Sequence, residues 1–430
     1  MTPGQRIDPA PTAGRAAAVI ERLKALRCLV AVTRTGSTMR ASEVIHLSQP
    51  AVARAILELE RHFAVPLFDR GPRGMAPTPP GERAARRVES LLEHLRAGAA
   101  EAFAHTVVKA RRRADPWRFA SAVSPASLRA FLAVAAAGSE AAAARTAGVS
   151  QPAIHRSLNA LEDLCGGALL LQRSARGTRL TDGGEALLHR VKLAMAEARA
   201  LESDLSAWRG EVRGRVVIGV LPLSVTLVLV PRAVASVMAR HPEIEITVVD
   251  GTYEMLMRQL RSADVDVVLG ALRAEPPVGV SQESLFKEDL VVIARPGHPC
   301  LGRKRLALAD LAGWRWIVPL PGTPASAALI RSFASAGLPP PSNGLQATSA
   351  MFTRALVSSS DCLALASRGQ ALEDEAVGLV RIAPVALPST QRDIGIALRD
   401  SVDPSPDLAA LLRELRAVQI GTSTGDKKTA

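Results

Sequence analysis

The sequence predicts a chain of the α/β class, in which two small, mainly helical domains precede a two-lobed α/β domain. The first observation is a repeat, because residues 26–60 recur in the same register at 128–162. The second is charge: residues 1–210 carry 30 Lys and Arg against 19 Asp and Glu, whereas residues 211–430 carry 23 against 22. The third is a change of pattern after Arg213, where strand-length apolar segments alternate with helical ones. A hydrophobic content of 48% excludes a mainly disordered chain.

The repeat is visible letter by letter. LRCLVAVTRTGS at 26–37 corresponds to LRAFLAVAAAGS at 128–139, and SQPAVARAILELE at 48–60 corresponds to SQPAIHRSLNALE at 150–162. One inserted residue then moves the offset from 102 to 103, which aligns Arg70 with Arg173, Arg73-Gly74 with Arg176-Gly177, Thr78 with Thr181, and Gly81-Glu82 with Gly184-Glu185. A single register over this length indicates a duplicated domain, and the period is longer than that of a solenoid repeat.

Each copy is predicted to fold as two helices, a tight turn, a third helix and a basic loop. In the first copy Ser48 has the residue type of an N-cap, and Pro50 lies in the first turn, where a missing N–H is tolerated. Apolar residues then recur at helical spacing, as they do after Ser150 and Pro152 in the second copy. The predicted buried stripes are Val52, Ile56, Leu59 and Phe63 in the first copy and Ile154, Leu158, Leu161 and Cys165 in the second.

The opposite face of each third helix carries side chains that suit the edges of DNA bases. Arginine reads guanine and glutamine reads adenine in the major groove, which admits one helix. The loops RGPRG and RSARGTR add arginines where a wing meets phosphates. A lone arginine usually only solvates a helix surface, but the duplication of the whole arrangement favours double-stranded DNA as the partner. The predicted contact residues are Ser48, Gln49, Pro50, Arg54, Arg70, Arg73, Thr78, Ser150, Gln151, Pro152, His155, Arg156, Arg173, Arg176 and Thr181.

A long helix with an apolar heptad seam is predicted after each basic loop. The seams are Ala84, Val88, Leu91, Leu95, Gly98 and Ala102 in the first copy and Leu187, Val191, Ala194, Ala198, Leu201 and Leu205 in the second. This spacing favours pairing with another helix, and Gly98 is expected to weaken the first seam. Homo-oligomerisation through these helices is the preferred interpretation. The duplication also allows the two helices to pair within one chain, and a true dimer would carry four DNA-binding heads.

The second half predicts two α/β units. The first unit has strands at 215–220, 244–249 and 265–270 and helices at 227–240 and 253–262. The second has strands near 290–294, 316–319 and 362–366, while strands 379–382 and 393–398 and a helix near 407–419 return to the first sheet. Alternation of strands and helices predicts parallel sheets.

Loops at the carboxyl ends of these strands are the candidate ligand site, because helix N-termini present free N–H groups there. Their hydroxyl groups suit a small polar or anionic effector. An ordinary helix cap is the simpler explanation for any single residue, so the prediction concerns the set. It consists of Leu223, Ser224, Thr226, Thr252, Tyr253, Thr323, Ser326, Thr348 and Ser349.

Other function classes find little support in the sequence. Four scattered cysteines, Cys28, Cys165, Cys300 and Cys362, predict neither a metal site nor disulfides, and no cofactor is expected. We expect no secretory signal and no membrane span, and hence a cytoplasmic protein. The motifs G-x-G-x-x-G, G-x-x-x-x-G-K-[ST], H-E-x-x-H, G-x-S-x-G and C-x-x-C do not occur, so an enzyme is not expected.

The first half resembles the DNA-binding region of LysR-type transcriptional regulators. That family has a winged helix-turn-helix with a GS turn, an SQPAVSR-like recognition helix ending in LE, an LF-x-R loop and an LT-x-x-G-like start of a linker helix. The matching residues are Gly36-Ser37, Ser48 to Arg54, Leu59-Glu60, Leu67 to Arg70 and Thr78 in copy one, and Gly138-Ser139, Ser150 to Arg156, Leu161-Glu162, Arg173 and Leu180-Thr181 in copy two. The family normally has one such domain per chain. Thr38-Met39 and Glu140-Ala141 depart from its usual Phe-Thr, which leaves open whether both copies bind specific DNA.

The second half is similar to the family's effector domain, a type 2 periplasmic-binding-protein fold. The segments that carry this similarity are RGRVVIGVLP, PEIEITVVDGTYEMLMRQLRSADVDVVLG, VVIARPGHPCL and DLAGWRWIVP. LPLSVTLVLVP and GTYE further resemble the group named for a galactose-binding-protein regulator. The resemblance implies a regulator that senses a small molecule and alters operator binding. The alternative is a small-molecule-binding protein or enzyme of this fold that keeps its helix-turn-helix units only as interaction modules.

The predicted domain limits follow from these patterns. The N-terminal extension at 1–21 is expected to be disordered, and a first winged helix-turn-helix with its linker helix follows at 22–108. A basic interdomain linker at 109–123 leads to a second winged helix-turn-helix with its linker helix at 124–210. The effector domain covers 213–420, with lobe I at about 213–284 and 379–420 and lobe II at about 285–378, and a tail follows at 421–430.

Overall fold

The chain divides into two compact units. The computed structural model describes residues 18–71, 74–105, 115–174, 177–222, 226–303, 305–342, 344–388, 390–400 and 403–417. The first unit extends to Arg215 and includes Pro404–Asp407, and the second consists of Val216–Asp403 and the chain from Leu408. The predicted tail at 421–430 and residues 1–17 of the predicted extension lie outside the described residues. The rest of that extension was wrongly expected to be disordered, because Val19 and Ile20 are buried in the core of the first unit.

The first unit contains two copies of a winged helix-turn-helix, which we call head one and head two. Head one comprises α1 (Leu23–Thr35), α2 (Thr38–Val44), α3 (Gln49–Phe63), β1 (Phe68–Gly71) and β2 (Gly74–Pro77), followed by linker helix α4 (Pro79–Ala104). Helix α5 (Pro116–Ala122) precedes head two, which comprises α6 (Pro125–Ala137), α7 (Glu140–Ala147), α8 (Gln151–Leu164), β3 (Leu171–Ser174) and β4 (Gly177–Leu180), followed by linker helix α9 (Asp182–Trp208). The predicted order of elements is confirmed in both copies.

The turn between the first two helices is built the same way in both heads. Gly36 and Gly138 end α1 and α6 with positive φ angles of 66° and 71°, a conformation that glycine adopts without a steric penalty. Ser37 and Ser139 then cap α2 and α7, because their hydroxyl oxygens accept the backbone N–H groups of Arg40 and Ala142. This turn fixes the direction in which the second helix leaves the first.

The two linker helices pair with each other inside the chain. Arg87 Nε of α4 donates to Asp204 Oδ2 of α9 at 2.8 Å, and Arg190 Nε of α9 donates to Glu101 Oε1 of α4 at 2.9 Å. Each contact joins the beginning of one helix to the end of the other, so the helices run antiparallel. All predicted seam residues are buried, and the apolar side chains among them belong to one core shared by both heads.

Gly98 has a different role from the one predicted. Its expected effect was to weaken the first seam, but a Cβ at this position would lie 2.8 Å from Arg190 Cβ and 3.0 Å from Leu187 Cδ1. The missing side chain is therefore what lets α4 and α9 approach each other here.

The predicted basic linker at 109–123 also needs correction, because its described part contains helix α5. The carboxylate of Asp115 accepts the N–H of Trp117 and caps this helix, and Pro116 occupies its first position. Phe119 is fully buried, so α5 packs into the shared core between the heads.

The second unit has two five-stranded sheets, one in each lobe. The strands are β5 (Gly214–Val220), β6 (Ile244–Asp250), β7 (Val267–Ala271), β8 (Val280–Glu288), β9 (Leu290–Ala294), β10 (Arg315–Val318), β11 (Leu345–Gln346), β12 (Cys362–Ser367), β13 (Arg381–Ile382) and β14 (Arg392–Arg399). The helices are α10 (Thr226–Arg240), α11 (Tyr253–Arg261), α12 (Pro324–Ser335), α13 (Ala350–Ser359), α14 (Arg368–Ala376) and α15 (Pro406–Ala417), with 3₁₀ turns at Pro299–Gly302 and Leu308–Leu311. The sheet orders are β6-β5-β7-β14-β8 and β11-β10-β12-β9-β13.

The prediction of parallel strands is confirmed for β5 with β7 and for β10 with β12, but neither sheet is parallel throughout, because both are mixed. β14 runs antiparallel to β7 and β8, and β9 runs antiparallel to β12 and β13. The physical reason is that β14 returns from the other lobe and enters the first sheet in the opposite direction. β14 thus joins the first sheet as predicted, whereas β13 stays in the second.

By length and composition, no single described helix qualifies as a membrane span. The bent pair α5 and α6 passes the same criteria only when both helices are counted together, and an angle of 102° separates them.

Candidate nucleic-acid interface and effector site

The recognition helix of head one, α3, presents a polar face. Ser48 precedes the helix in an extended conformation and Pro50 lies in its first turn. The predicted stripe of Val52, Ile56, Leu59 and Phe63 is buried, which confirms the helical phase. As a result Gln49 and Arg54 are exposed on the opposite side.

Helix α8 repeats this arrangement in head two. Ile154, Leu158 and Leu161 are buried on α8, and Cys165 is buried at its C-cap. Ser150, Gln151, Pro152, His155 and Arg156 are exposed. The two polar faces therefore occupy equivalent positions in the two heads.

Arg54 and Arg156 are exposed cationic side chains at equivalent positions of these two faces. Within the described part of the chain, neither guanidinium group forms an ion pair or a hydrogen bond with another residue. Gln49 Nε2 donates weakly to Thr38 Oγ1 at 3.4 Å. An exposed guanidinium without a protein partner keeps all its donors for a ligand.

The wing arginines differ between the heads. In head one Arg70 is 55% exposed, and its Nη2 lies 3.6 Å from Glu60 Oε2. In head two Arg173 is 35% exposed, and its Nε donates to Glu140 Oε1 at 2.7 Å. Arg73 and Arg176, at the wing tips, lie outside the described residues.

Glu140 connects the wing of head two to its recognition helix. Its carboxylate is 10% exposed and lies 3.1 Å from His155 Nδ1 as well as 2.7 Å from Arg173 Nε. Burial raises the pKa of this carboxyl, but the hydrogen bonds from Arg173 and His155 outweigh burial and hold the pKa below its ordinary value. Head one has Thr38 at the equivalent position, so this cluster belongs to head two alone.

Thr78 and Thr181, both predicted to contact DNA, cap the linker helices. The Thr78 hydroxyl accepts the N–H of Gly81 and donates to the Pro66 carbonyl, and Thr181 makes the same contacts with Gly184 and Leu169. Their hydroxyl groups therefore join each wing to its linker helix.

The predicted effector residues lie where loops follow the strands of the second unit. Thr252, Thr323 and Ser349 cap α11, α12 and α13, Ser326 is buried in the first turn of α12, and Thr348 is exposed. Leu223 and Ser224 lie outside the described residues, and for Thr226 only its place at the start of α10 is described. Three of the hydroxyl groups thus have the capping role that was the simpler explanation.

Tyr253 and Arg273 form an additional cluster at the edge of the first sheet. Tyr253 follows β6, Arg273 follows β7, and the guanidinium carbon lies 4.5 Å from the centre of the tyrosine ring. Arg273 Nη1 donates to the carbonyl of Gly322, which belongs to the other lobe of the same unit. Among the described residues, neither the Tyr253 hydroxyl nor Arg273 Nε has a hydrogen-bond partner, although both atoms are buried. Burial raises the pKa of Tyr253, and the charge of Arg273 partly opposes this effect.

Sequence reasoning did not assign a role to Glu140 or Arg273. For Glu140 the available signal was an acidic residue where the other copy has threonine. For Arg273 it was a cation two residues after a strand that is buried along its length, a position at which a side chain reaches the ligand-binding edge of a sheet.

Comparison with known proteins agrees with this architecture. The family model described as "Bacterial regulatory helix-turn-helix protein, lysR family" matches residues 23–82 and 125–185, and the model described as "LysR substrate binding domain" matches residues 209–419. The regulator GalR of Pseudomonas putida is 36% identical over 408 residues, which cover 93% of this chain and 98% of that protein.

Two solved structures have the same fold. A full-length OxyR variant from Pseudomonas aeruginosa is 20% identical with a TM-score of 0.53, covering 69% of this chain and 95% of that one. Full-length CbnR complexed with its target DNA is 24% identical with a TM-score of 0.50, covering 67% of this chain and 98% of that one.

The duplicated heads, the two-lobed second unit and these matches agree with one another over nearly the whole chain. The chain therefore belongs to the LysR family, and it is a DNA-binding transcriptional regulator with an effector-binding domain.

Proposed function

We propose that both recognition helices, α3 and α8, bind the major groove of operator DNA. The observation that carries this proposal is the pair Arg54 and Arg156, which lie exposed and unpaired among the described residues at equivalent positions of duplicated helices. Gln49 and Gln151 stand near the helix starts, where side chains reach base edges. Arg70 and the wing arginines contact phosphates and orient the heads.

Binding measured against salt concentration tests this proposal. Full-length protein on a duplex from its own promoter region is expected to lose affinity steeply as salt rises, because phosphate contact releases counterions. Arg54→Ala and Arg156→Ala are each expected to weaken specific binding by about 1–3 kcal/mol. Arg118→Ala is the matched control, since it removes an exposed arginine from α5. A flat salt response, or equal effects of all three substitutions, contradicts the proposal.

We propose further that the effector binds at the carboxyl ends of the strands of the second unit. Tyr253 and Arg273 support this position, because their buried and unpaired donors suit an acceptor group such as a carboxylate. The bond from Arg273 to Gly322 connects the two lobes, so a ligand that competes for Arg273 changes how the lobes are joined. For a ligand to regulate DNA binding, it must bind two arrangements of the lobes with different affinities.

Thermal unfolding with a panel of small carboxylic acids tests the effector site. At least one acid is expected to raise the melting temperature of the wild type, and Arg273→Ala is expected to abolish that rise. Arg258→Ala, which removes an exposed arginine from α11, serves as the control. An equal rise in the Arg273→Ala variant excludes Arg273 from the site.

We propose that the protein acts in the cytoplasm as a regulator rather than as an enzyme, in keeping with the name of its relative GalR. The linker seam is filled within one chain, so association of chains into a homo-oligomer uses other surfaces. Light scattering at a range of protein concentrations gives the oligomeric state.

A further inference from the structure

The pairing of the linker helices has the form of a two-fold axis inside one chain. Arg87 contacts Asp204, and Arg190 contacts Glu101. In the register of the duplication, which has an offset of 103 here, Arg87 is equivalent to Arg190 and Glu101 is equivalent to Asp204. Such reciprocal contacts define an isologous interface, the kind that joins two identical subunits.

This arrangement gives one chain two DNA-binding heads. The C-terminal end of α9 also contacts head one. There Arg209 donates a hydrogen bond to the carbonyl of Phe63, the last residue of recognition helix α3. Two heads supplied by identical subunits must read identical half-sites, so their target is an inverted repeat. Two heads supplied by one chain are free of that constraint, because each is encoded separately.

The residues on and next to the two recognition helices differ between the heads. Both heads have Ser, Gln, Pro and Ala at the helix start and an Arg at the seventh position of this segment, but several neighbouring residues differ. Among the pairs that differ are Thr38 and Glu140, Ala53 and His155, Leu57 and Asn159, and Glu58 and Ala160.

The contacts of Glu140 give His155 a hydrogen-bonding role that Ala53, its equivalent in head one, does not have. An ionised carboxylate only accepts hydrogen bonds, so His155 Nδ1, at 3.1 Å, donates to it and the ring is held in place. His155 Nε2 lies on the other side of the ring from Glu140, on an exposed side chain, and is the ring atom that remains for a hydrogen bond to a base edge. Head one offers the methyl group of Ala53 at the same position, which suits the methyl group of thymine.

We infer that the two heads of one chain read unlike half-sites, so that the target of the protein is an asymmetric DNA sequence rather than an inverted repeat. The inference rests on the proposed binding of both recognition helices to DNA. Head one presents the methyl group of Ala53, which suits thymine, where head two presents the imidazole of His155, which hydrogen-bonds a base edge instead.

Selection from a randomised duplex library with the full-length protein tests the inference. The expected result is one motif with two different halves, A and B. Binding is then measured on four duplexes that carry A·B, A·A, B·B and unrelated sequence. The A·B duplex is expected to be bound at least about tenfold more tightly than A·A or B·B, as one mismatched contact typically costs that much.

Variants assign the halves to the heads. Arg54→Ala is expected to relax selection in half A only and Arg156→Ala in half B only, each with a loss of roughly 5- to 150-fold on A·B. His155→Ala introduces into head two the residue type that head one has at Ala53, and it is expected to shift the preferred base of half B towards thymine. Arg118→Ala is expected to leave both halves unchanged.

Each contrary result has a distinct meaning. A symmetric motif bound equally well as A·A overturns the inference while leaving DNA binding intact, and so does loss of selection at the same positions in the Arg54→Ala and Arg156→Ala variants. An Arg156→Ala variant that is unchanged in every respect shows that only head one reads DNA, which also overturns it. Failure to enrich any sequence overturns the proposed function itself.

Discussion

Asp204 of linker helix α9 and Arg87 of linker helix α4 form an ion pair whose side chains are 2% and 8% exposed. Arg83 Nε also lies 3.0 Å from Asp204 Oδ1 as an ion-pair contact, and Arg87 Nη1 lies 3.4 Å from Glu197 Oε2. A charge network this deeply buried is costly to break, because the remaining charge loses its partner without regaining water.

Asp204→Asn is therefore expected to destabilise the paired heads. Removing one partner of a buried pair typically costs about 3–5 kcal/mol, and we expect about 2–3 kcal/mol here because Glu197 remains next to Arg87. Urea denaturation measures the change. Glu93→Gln breaks the exposed pair with Arg96 and is the control, with an expected cost below about 1 kcal/mol. Equal costs for the two variants mean that the seam is open to solvent.

Gly98 provides a test in which the sign of the effect is informative. Replacing a helical glycine by alanine normally stabilises a helix by about 1 kcal/mol. A Cβ on Gly98 would lie 2.8 Å from Arg190 Cβ, so Gly98→Ala is expected to cost about 1–3 kcal/mol instead. Ser90→Ala, on the exposed face of the same helix, is expected to be neutral or stabilising. A stabilising Gly98→Ala substitution contradicts the observed closeness of the two linker helices.

The sequence predicted those features of the fold that repeat or have a strong period. The stripe from Val52 to Phe63 and its counterpart on α8 were recognisable because burial of one helix face imposes a period of 3.6 residues. Strand β8 was missed because VSQESLFKE is mostly polar and only its two ends are buried, which is typical of an edge strand.

The sequence predicted those residues of the candidate site whose role follows from their own position on an element, and it missed those whose role depends on contacts with distant residues. Arg54 and Arg156 follow from their place on a duplicated helix. The role of Glu140 depends on two side chains, His155 and Arg173, that lie 15 and 33 residues away along the chain, and no local pattern contains that information. Likewise Arg273 becomes notable only once folding places it over the ring of Tyr253.

Glu140→Gln is expected to strengthen DNA binding by head two. The carboxylate neutralises Arg173 and lies next to the recognition helix, where it repels phosphates. Without this charge, Arg173 keeps only the longer 3.7 Å contact with Glu162 Oε2 and is more available to a phosphate, so the slope of log affinity against log salt is expected to steepen by up to about 0.9. Fluorescence anisotropy on a labelled duplex measures both quantities.

The control for this substitution is Glu185→Gln, which removes the same charge from an exposed position at the start of α9. Equal gains for Glu140→Gln and Glu185→Gln would mean that only net charge matters. In that case the contact between Glu140 and Arg173 has no specific part in DNA binding.

Glu140→Gln is also expected to change how the stability of the protein depends on pH. The pKa of Glu140 in the folded protein is below its ordinary value of 4.5. Ionised Glu140 therefore contributes stability above the unfolded pKa, and the contribution is lost as the pH falls through the folded pKa. The wild type is expected to melt at a higher temperature than Glu140→Gln at pH 7, and the difference is expected to vanish at strongly acidic pH. A difference that is independent of pH would place its origin in packing rather than in charge.

Tyr253→Phe tests whether the tyrosine hydroxyl is reserved for a ligand. A buried hydroxyl without a partner carries a desolvation cost of about 1–3 kcal/mol, so its removal is expected to leave the second unit equally stable or more stable. Thermal unfolding of the full-length protein measures this change. Tyr253→Ala is the contrasting variant, because it also removes the ring that Arg273 stacks on and is expected to destabilise. If Tyr253→Phe instead destabilises the protein, the hydroxyl already has a partner in the free protein, and its proposed role in binding an effector is wrong.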